Sequence, residues 1–309
     1  MSATLESLSR QIHSAEDLAS VVRMMKTLAA VSIRQYEEAV ESLRDYRRNV
    51  ENGLRMLLWE SHASEFSDEI PGRELAVVFG SDQGMCGQFN QQIVAYIVER
   101  FSGTAVDDSG HEATASRATP ILVAVGHRCS SLLEEAGFRV EASLPEAGSA
   151  GAVIDCVQDL LMEIDRVRQR QAANRVALYF SQRTTATLTE PHRTRVLPVD
   201  LRRFAGHWKS HRQTRSLPIH TVAEKELLLS LQREHLFVSL FRACAESLSS
   251  ENAARIQSMQ SAERNITDRL MELRTEFHQS RQTSITEELL DVVSGFEVLR
   301  RKDQAGDFS

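Results

Sequence analysis

No run of about 18 or more apolar residues occurs in the 309 residues, so nothing in the sequence reads as a membrane-spanning helix. The opening MSATLESLSR lacks the apolar core of a secretory signal. The chain is therefore expected to stay in the cytoplasm and to meet a membrane only through partners. Cysteine is sparse: Cys86, Cys129, Cys156 and Cys244 stand far apart, with no CxxC and no cysteine–histidine spacing of the zinc type. Free thiols are expected, with no metal site and no disulfide framework. Aromatic residues make up only 6%, few for a protein built round one compact core. A net charge of -7 argues against a chain whose business is the nucleic-acid backbone, which needs a basic face.

Proline and glycine are missing from particular places. All six prolines lie between Pro71 and Pro218, and no glycine lies between Gly206 and Gly295. Two long stretches without helix breakers thus flank a middle that is rich in them. In the first, Leu5, Leu8, Ile12, Ala15, Ala19, Val22, Met25 and Leu28 recur at steps of three or four. Tyr36, Val40, Leu43, Val50, Leu54 and Leu57 continue the pattern. This predicts one helix over 4–61, interrupted only at Gly53 and spanning roughly 85 Å.

The last stretch, 221–299, repeats the pattern through Ile256, Met259, Ala262, Ile266, Leu270, Leu273 and Phe277, then Ile285, Leu289, Val292, Phe296 and Leu299. Alternating steps of three and four describe a coiled-coil seam, and a helix of that length needs a partner to cover its stripe. The N-terminal helix is the expected partner.

The middle alternates strand and helix patterns. Runs 75–79, 121–125 and 176–180 read as buried strands; 88–101, 127–136 and 152–171 read as amphipathic helices. That order implies βαβ units in a mostly parallel sheet. The polar stretches Ser102–Thr119 and Ser181–Arg195 read as loops. The expected fold is therefore α/β plus coiled coil: long terminal helices pair antiparallel around a small Rossmann-like α/β domain. The expected domains are the N-terminal helix (1–61), the α/β domain (71–218), the C-terminal helix (220–300) and a polar tail (301–309).

One loop invites a chemical reading. Ser81, Asp82, Gln83, Gly84, Met85, Cys86, Gly87 and Asn90 follow a strand and open a helix, where backbone N–H groups can hold an anion. No GK[ST] and no GxGxxG is present, and Asp82 would repel a phosphate. Cys86 near a helix start is a candidate nucleophile. A structural turn and an anion or redox site are both open readings.

The same loop resembles the S-D-R-G-L-C-G-x-x-N signature of the gamma subunits of F-type ATP synthases. Met24, Met25, Lys26, Ala29, Ala30 and Ser32 resemble the family's first-helix motif. Ser250, Glu251, Ala253, Ala254, Arg255 and Met259 resemble its S-E-x-A-A-R-M…M segment. Arg281, Gln282, Ile285, Thr286, Glu288, Leu289, Val293, Ser294 and Gly295 resemble its final motif. The resemblance implies a central rotor shaft that carries torque, without catalysis, cofactor or nucleotide of its own. It implies as partners the α and β subunits of a catalytic hexamer, an epsilon-type subunit and the c ring of a membrane sector. The implied location is the cytoplasmic face of a bacterial inner membrane. Contacts to the hexamer fall on Met25, Lys26, Arg255, Arg281, Gln282, Thr286, Glu288 and Asp291. An apolar bearing tip falls on Val292, Val293, Phe296, Val298 and Leu299. Gln83 and Gln260 depart from the family pattern, and Arg300, Arg301, Lys302 and Asp303 extend past its usual end. These departures imply a divergent branch, such as an alternative ATPase that hydrolyses ATP or pumps sodium. The cysteine-flanked insert of chloroplast members has no counterpart, so no thiol switch is expected. A generic coiled-coil tether and an enzyme using Cys86 are the competing readings.

Overall fold

The structure, a computed structural model, describes residues 3–60, 73–102, 120–184, 189–199 and 220–306. The expected loop at Ser102–Thr119 lies, past Ser102, outside the described residues, and so do the side chains of Phe296, Val298 and Leu299. The chain forms two compact units, one of Met1–Thr27 with Met259–Ser309 and one of Leu28–Ser258.

The first unit is built from the start of α1 (Ala3–Ser42) and the end of α6 (Glu224–Gly306). Arg274 donates to Glu16 at 2.7 Å, and Lys26 pairs with Glu263, so rising numbers on α1 meet falling numbers on α6. The pairing is antiparallel. Leu5, Val22, Met259 and Leu273 are buried in the seam, and Ile12, Ala15, Ile266, Leu270 and Phe277 are half-buried beside them. Each fully buried Leu or Val contributes on the order of 1.5–3 kcal/mol, which is what holds helices this long in place. Leu28, assigned to the stripe from sequence, is exposed, and Ala29 is buried in its stead. The second half of the α6 stripe also departs from expectation. After Phe277 the covered positions are Ser280 and Ser284, while Ile285, Leu289 and Val292 are exposed.

The second unit is an α/β domain. Its strands β1 (Glu74–Phe79), β2 (Ile121–Val125), β3 (Val140–Leu144), β4 (Arg175–Arg183) and β5 (Thr189–Leu197) form one sheet in the order β3-β2-β1-β4-β5. The first four are parallel; β5 runs antiparallel to β4. One face packs Leu75, Val77, Phe79, Val123 and Leu178 against α5 (Val153–Gln171), Tyr36 of α1 and Leu240, Cys244 and Leu248 of α6. The other packs Ala76, Val78, Leu122 and Tyr179 against α3 (Phe89–Phe101) and α4 (His127–Glu135). Covered on both faces, β1 and β2 read as unbroken apolar runs, which is why the sequence reveals them.

Three expectations are corrected. The N-terminal helix is interrupted at Leu43, between α1 and α2 (Arg44–Glu60), rather than at Gly53. Ser42 turns its hydroxyl back onto the Ala39 carbonyl at 2.8 Å, a bond that competes with the helical ladder. Gly53 lies inside α2, where an added Cβ would stand 3.1 Å from the Leu231 side chain. Its role is to let α6 approach. The expected loop Ser181–Arg195 instead contains the end of β4 and most of β5, paired from Arg183–Thr189 to Val176–Leu197. β3 was not expected at all.

Candidate functional site: the loop after β1 and the end of α6

Doubly wound sheets take ligands outside the carboxyl ends of their strands, where the strand order reverses. Here that point lies between β1 and β4. The crevice is filled by α6. Ser247 donates to the Phe79 carbonyl at 3.5 Å and Ser250 to the Ser181 carbonyl at 2.9 Å, and both serines are buried. The stretch Ser247–Asn252 is the polar part of an otherwise apolar buried helix face, and its small hydroxyls cap strand ends where a phosphate would otherwise sit.

The neighbouring loop satisfies itself in the same way. Asn90, 3% exposed, accepts from the Ser81 N–H at 3.0 Å and donates to the Ser81 hydroxyl at 2.7 Å. The Ser81 hydroxyl donates to the Gln83 carbonyl at 2.6 Å. Asp82 accepts from His127 N–H at 2.9 Å, at the start of α4, and from Glu146 N–H at 3.1 Å. Its carboxylate thus meets a helix N-terminus, the favourable end of the dipole. Gly126, at φ +100°, lets this happen, since an added Cβ would stand 2.6 Å from the Ser81 carbonyl carbon. Met85 at φ +63° and Gly87 at φ +61° are both left-handed in the loop itself, while a Cβ added at Gly84 would meet nothing within 4 Å.

Cys86 is 2% exposed, and its hydrogen-bond partners are Ser81, Asn90 and the Gln83 carbonyl. Burial raises its thiol pKa, only partly offset by the Ser81 hydrogen bond. A nucleophile needs the thiolate, so the environment opposes the nucleophilic role that the sequence left open to Cys86. The arrangement is that of a structural turn joining β1, α3 and α4.

The residues assigned to partner contacts divide between the units. In the first, Met25 and Lys26 are half-buried, and Lys26 already pairs with Glu263. Arg281, Gln282, Thr286, Glu288 and Asp291 are exposed on α6, as are Val292 and Val293. Extrapolated from the two ion pairs, the start of α1 stands opposite about residue 287 of α6. Beyond it Leu289, Leu290, Val292 and Val293 are 54–61% exposed. In the second unit Arg255 is turned inward, donating to Asn252 at 3.2 Å and pairing with Glu251. Sequence reading put Arg255 on a partner-facing surface; it placed Tyr36 in the helical stripe, and Tyr36 is buried in the α/β core with its hydroxyl donating to the Ala147 carbonyl at 3.4 Å. A buried Ser-Ser-Glu-Asn run inside a long helix was the signal available.

A family model described as ATP synthase matches residues 4–299. Among curated relatives, the ATP synthase gamma chain of Ruminococcus albus is 23% identical over 94% of this chain and 97% of its own length. That of Bacteroides fragilis is 26% identical over 95% and 99%. Among solved structures, a chain of the Euglena gracilis mitochondrial ATP synthase (OSCP/F1/c-ring, rotational state 3) aligns with a TM-score of 0.66 at 15% identity, covering 99% of this chain and 96% of its own. A chain of the rotor of the same organism's enzyme aligns at 0.61 and 14%, over 91% and 99%. At those identities the structural likeness is one of fold.

Proposed function

This chain belongs to the gamma-chain family of ATP synthases, and we propose on that premise that it is the central shaft of an F-type ATP synthase or ATPase. The observation that carries the reading is the exposed apolar run Leu289, Leu290, Val292 and Val293, past the point where α1 can cover it. Four large apolar side chains in water on one short helical segment call for an apolar collar supplied by another protein. In a rotary ATPase that collar is the hexamer of α and β subunits.

Such a shaft works by contact free energy. It touches each β subunit differently, so each conformer is favoured at one angle, and rotation carries that bias round the ring. Arg281, Gln282, Thr286, Glu288 and Asp291 offer hydrogen-bonding groups for contacts that form and break with angle. Lys26 and Arg255 would first have to leave their partners within the chain, Glu263 and Glu251. The chain would catalyse nothing itself; the crevice filled by α6 and the protonated Cys86 thiol support that reading. Among the described residues no helix is long and apolar enough to cross a membrane, so membrane attachment would come through a c ring and an epsilon-type subunit.

The experiment is recovery of tagged chain from its native membranes, with ATP hydrolysis assayed on the eluate. Co-recovery of α and β subunits with activity is the expected result. A chain recovered alone, or an active eluate without those subunits, would overturn the proposal.

A further inference from the structure

At the amino ends of β1 and β4, one face of the sheet gathers three arginines round a single acid. Glu74 stands beside Arg175 in the β1–β4 register. Ala177 stands beside Arg195, and Tyr179 beside Arg193, in the β4–β5 register. Side chains alternate along a strand, so 175, 177 and 179 share one face, and their neighbours in register share it with them. The Arg193 guanidinium lies 6.0 Å from the centre of the Tyr179 ring and reaches across β4 to one Glu74 oxygen at 2.8 Å. The other Glu74 oxygen accepts from the Tyr179 hydroxyl at 2.7 Å. The acid is thereby matched.

Arg175 and Arg195 remain. Arg175 is half-buried, and its Nε–H is shut off from solvent with no acceptor among the described residues. Arg47 and Arg183 have a similar buried Nε, but each ion-pairs with a glutamate, Glu51 and Glu37 respectively. Arg175 has no such pair among the described residues. Arg195 is exposed on the edge strand, on the diagonal from Arg175, and it too lacks a carboxylate among the described residues. A buried donor left without an acceptor marks a place where an ion or ligand is missing.

We propose that this face is a binding site for a phosphate group. Arg175 donates its buried Nε–H, Arg195 closes on the anion from the edge, and Arg193, held by Glu74 and Tyr179, adds charge from behind. Planar guanidiniums present paired N–H donors that match phosphate oxygens. Three guanidiniums less one carboxylate leave two positive charges. A phosphate monoester carries about two negative charges near neutral pH, whereas a lone carboxylate would leave one arginine unmatched. Free phosphate and the headgroup of phosphatidic acid offer the same oxygens, and the test separates them. All of these residues lie in the second unit, so the site does not depend on the rotor reading.

The test is a nitrogen-15 NMR titration of the arginine Nε–H signals of the full chain with inorganic phosphate, at neutral pH and constant ionic strength. The Arg175 and Arg195 signals should shift together along one saturating curve. Arg175→Gln and Arg195→Gln leave the Glu74–Arg193 pair in place, and each should weaken binding about tenfold or more. Cosedimentation with phosphatidylcholine vesicles, with and without phosphatidic acid, distinguishes the sources. Retention that needs both phosphatidic acid and the two arginines assigns the site to a headgroup. Retention indifferent to phosphatidic acid, with the phosphate titration intact, assigns it to free phosphate. The absence of both a saturating shift and phosphatidic-acid-dependent retention would overturn the proposal. Binding that survives both substitutions would overturn it too, as would acetate shifting the same signals as strongly as phosphate.

Discussion

Ser250 of α6 donates its hydroxyl to the Ser181 carbonyl at the end of β4, a 2.9 Å bond across 69 positions of sequence. Both residues are buried. This bond occupies the place where a sheet of this topology holds a ligand, and it ties the longest helix to the sheet. Ser250→Ala would leave the carbonyl without a donor in a dry site, at a cost of about 1–3 kcal/mol. The urea midpoint should fall while the slope stays unchanged. An unchanged midpoint would mean that water replaces the hydroxyl and that the crevice is open.

Gly84 in the loop after β1 and Gly126, which follows β2 and packs against that loop, make a paired prediction. Gly126→Ala forces a Cβ to 2.6 Å from the Ser81 carbonyl carbon at a φ of +100°, so both sterics and backbone oppose it. A loss of about 2–4 kcal/mol is expected. Gly84→Ala meets nothing within 4 Å and should stay within about 0.5 kcal/mol of the unmodified chain. Thermal unfolding of both variants separates the two cases. Equal melting points would show that the loop is not the rigid turn described.

How far the sequence revealed this architecture depended on where each element sits. The buried runs at β1, β2 and the core of β4 are apolar without interruption and were legible to the residue. Edge strands were not. β5 reads TEPHRTRVL, with Pro191 and three charged residues, Glu190, Arg193 and Arg195, because an edge strand is protected from further pairing by such residues. The same residues disguise it as a loop. β3 is short and half-exposed for the same reason. The coiled-coil stripe was legible up to Phe277, where covered positions pass to Ser280 and Ser284 and periodicity no longer reports contact. The contacts of Asp82 were illegible because His127 and Glu146, whose N–H groups it accepts from, come from distant segments, and only the sheet topology brings them together.

That polar edge carries its own test. Arg193 of β5 pairs with Glu74 of β1 at 2.8 Å, with the Tyr179 hydroxyl donating to Glu74 at 2.7 Å and accepting from Arg193 at 3.1 Å. Both charged side chains are more than four-fifths buried. Arg193→Met leaves the Glu74 carboxylate buried without its partner, and a loss of about 3–5 kcal/mol is expected. Adding Glu74→Met should recover much of it. A double variant as unstable as the sum of the singles would show that the two charges do not interact.

All four cysteines are buried, and burial raises the pKa of Cys129 to about 12 and moves that of Cys86 in the same direction. A thiol reagent at pH 8 should therefore leave Cys86 and Cys129 unlabelled in the native chain, and find four thiols once the chain is unfolded. Rapid native labelling at Cys86 alone, mapped by mass spectrometry, would revive the reading of that loop as a reactive site.

The rotor proposal turns on whether α6 must be continuous or must only be present. Ile266 is half-buried in the antiparallel seam, well inside α6. Proline there removes a ladder N–H and clashes with the carbonyl of Ala262, at about 3 kcal/mol or more, and it kinks the helix. A kinked shaft cannot deliver torque, so Ile266→Pro should separate ATP hydrolysis from ion pumping in the assembled complex. Truncation after Gly295 keeps the seam and the exposed Leu289, Leu290, Val292 and Val293, and it should keep most of the coupling. The measurement is the ratio of ions pumped to ATP hydrolysed in membrane vesicles carrying each variant. A tether that only holds helices together would lose little pumping in either variant, and equal coupling in the two would count decisively against a shaft.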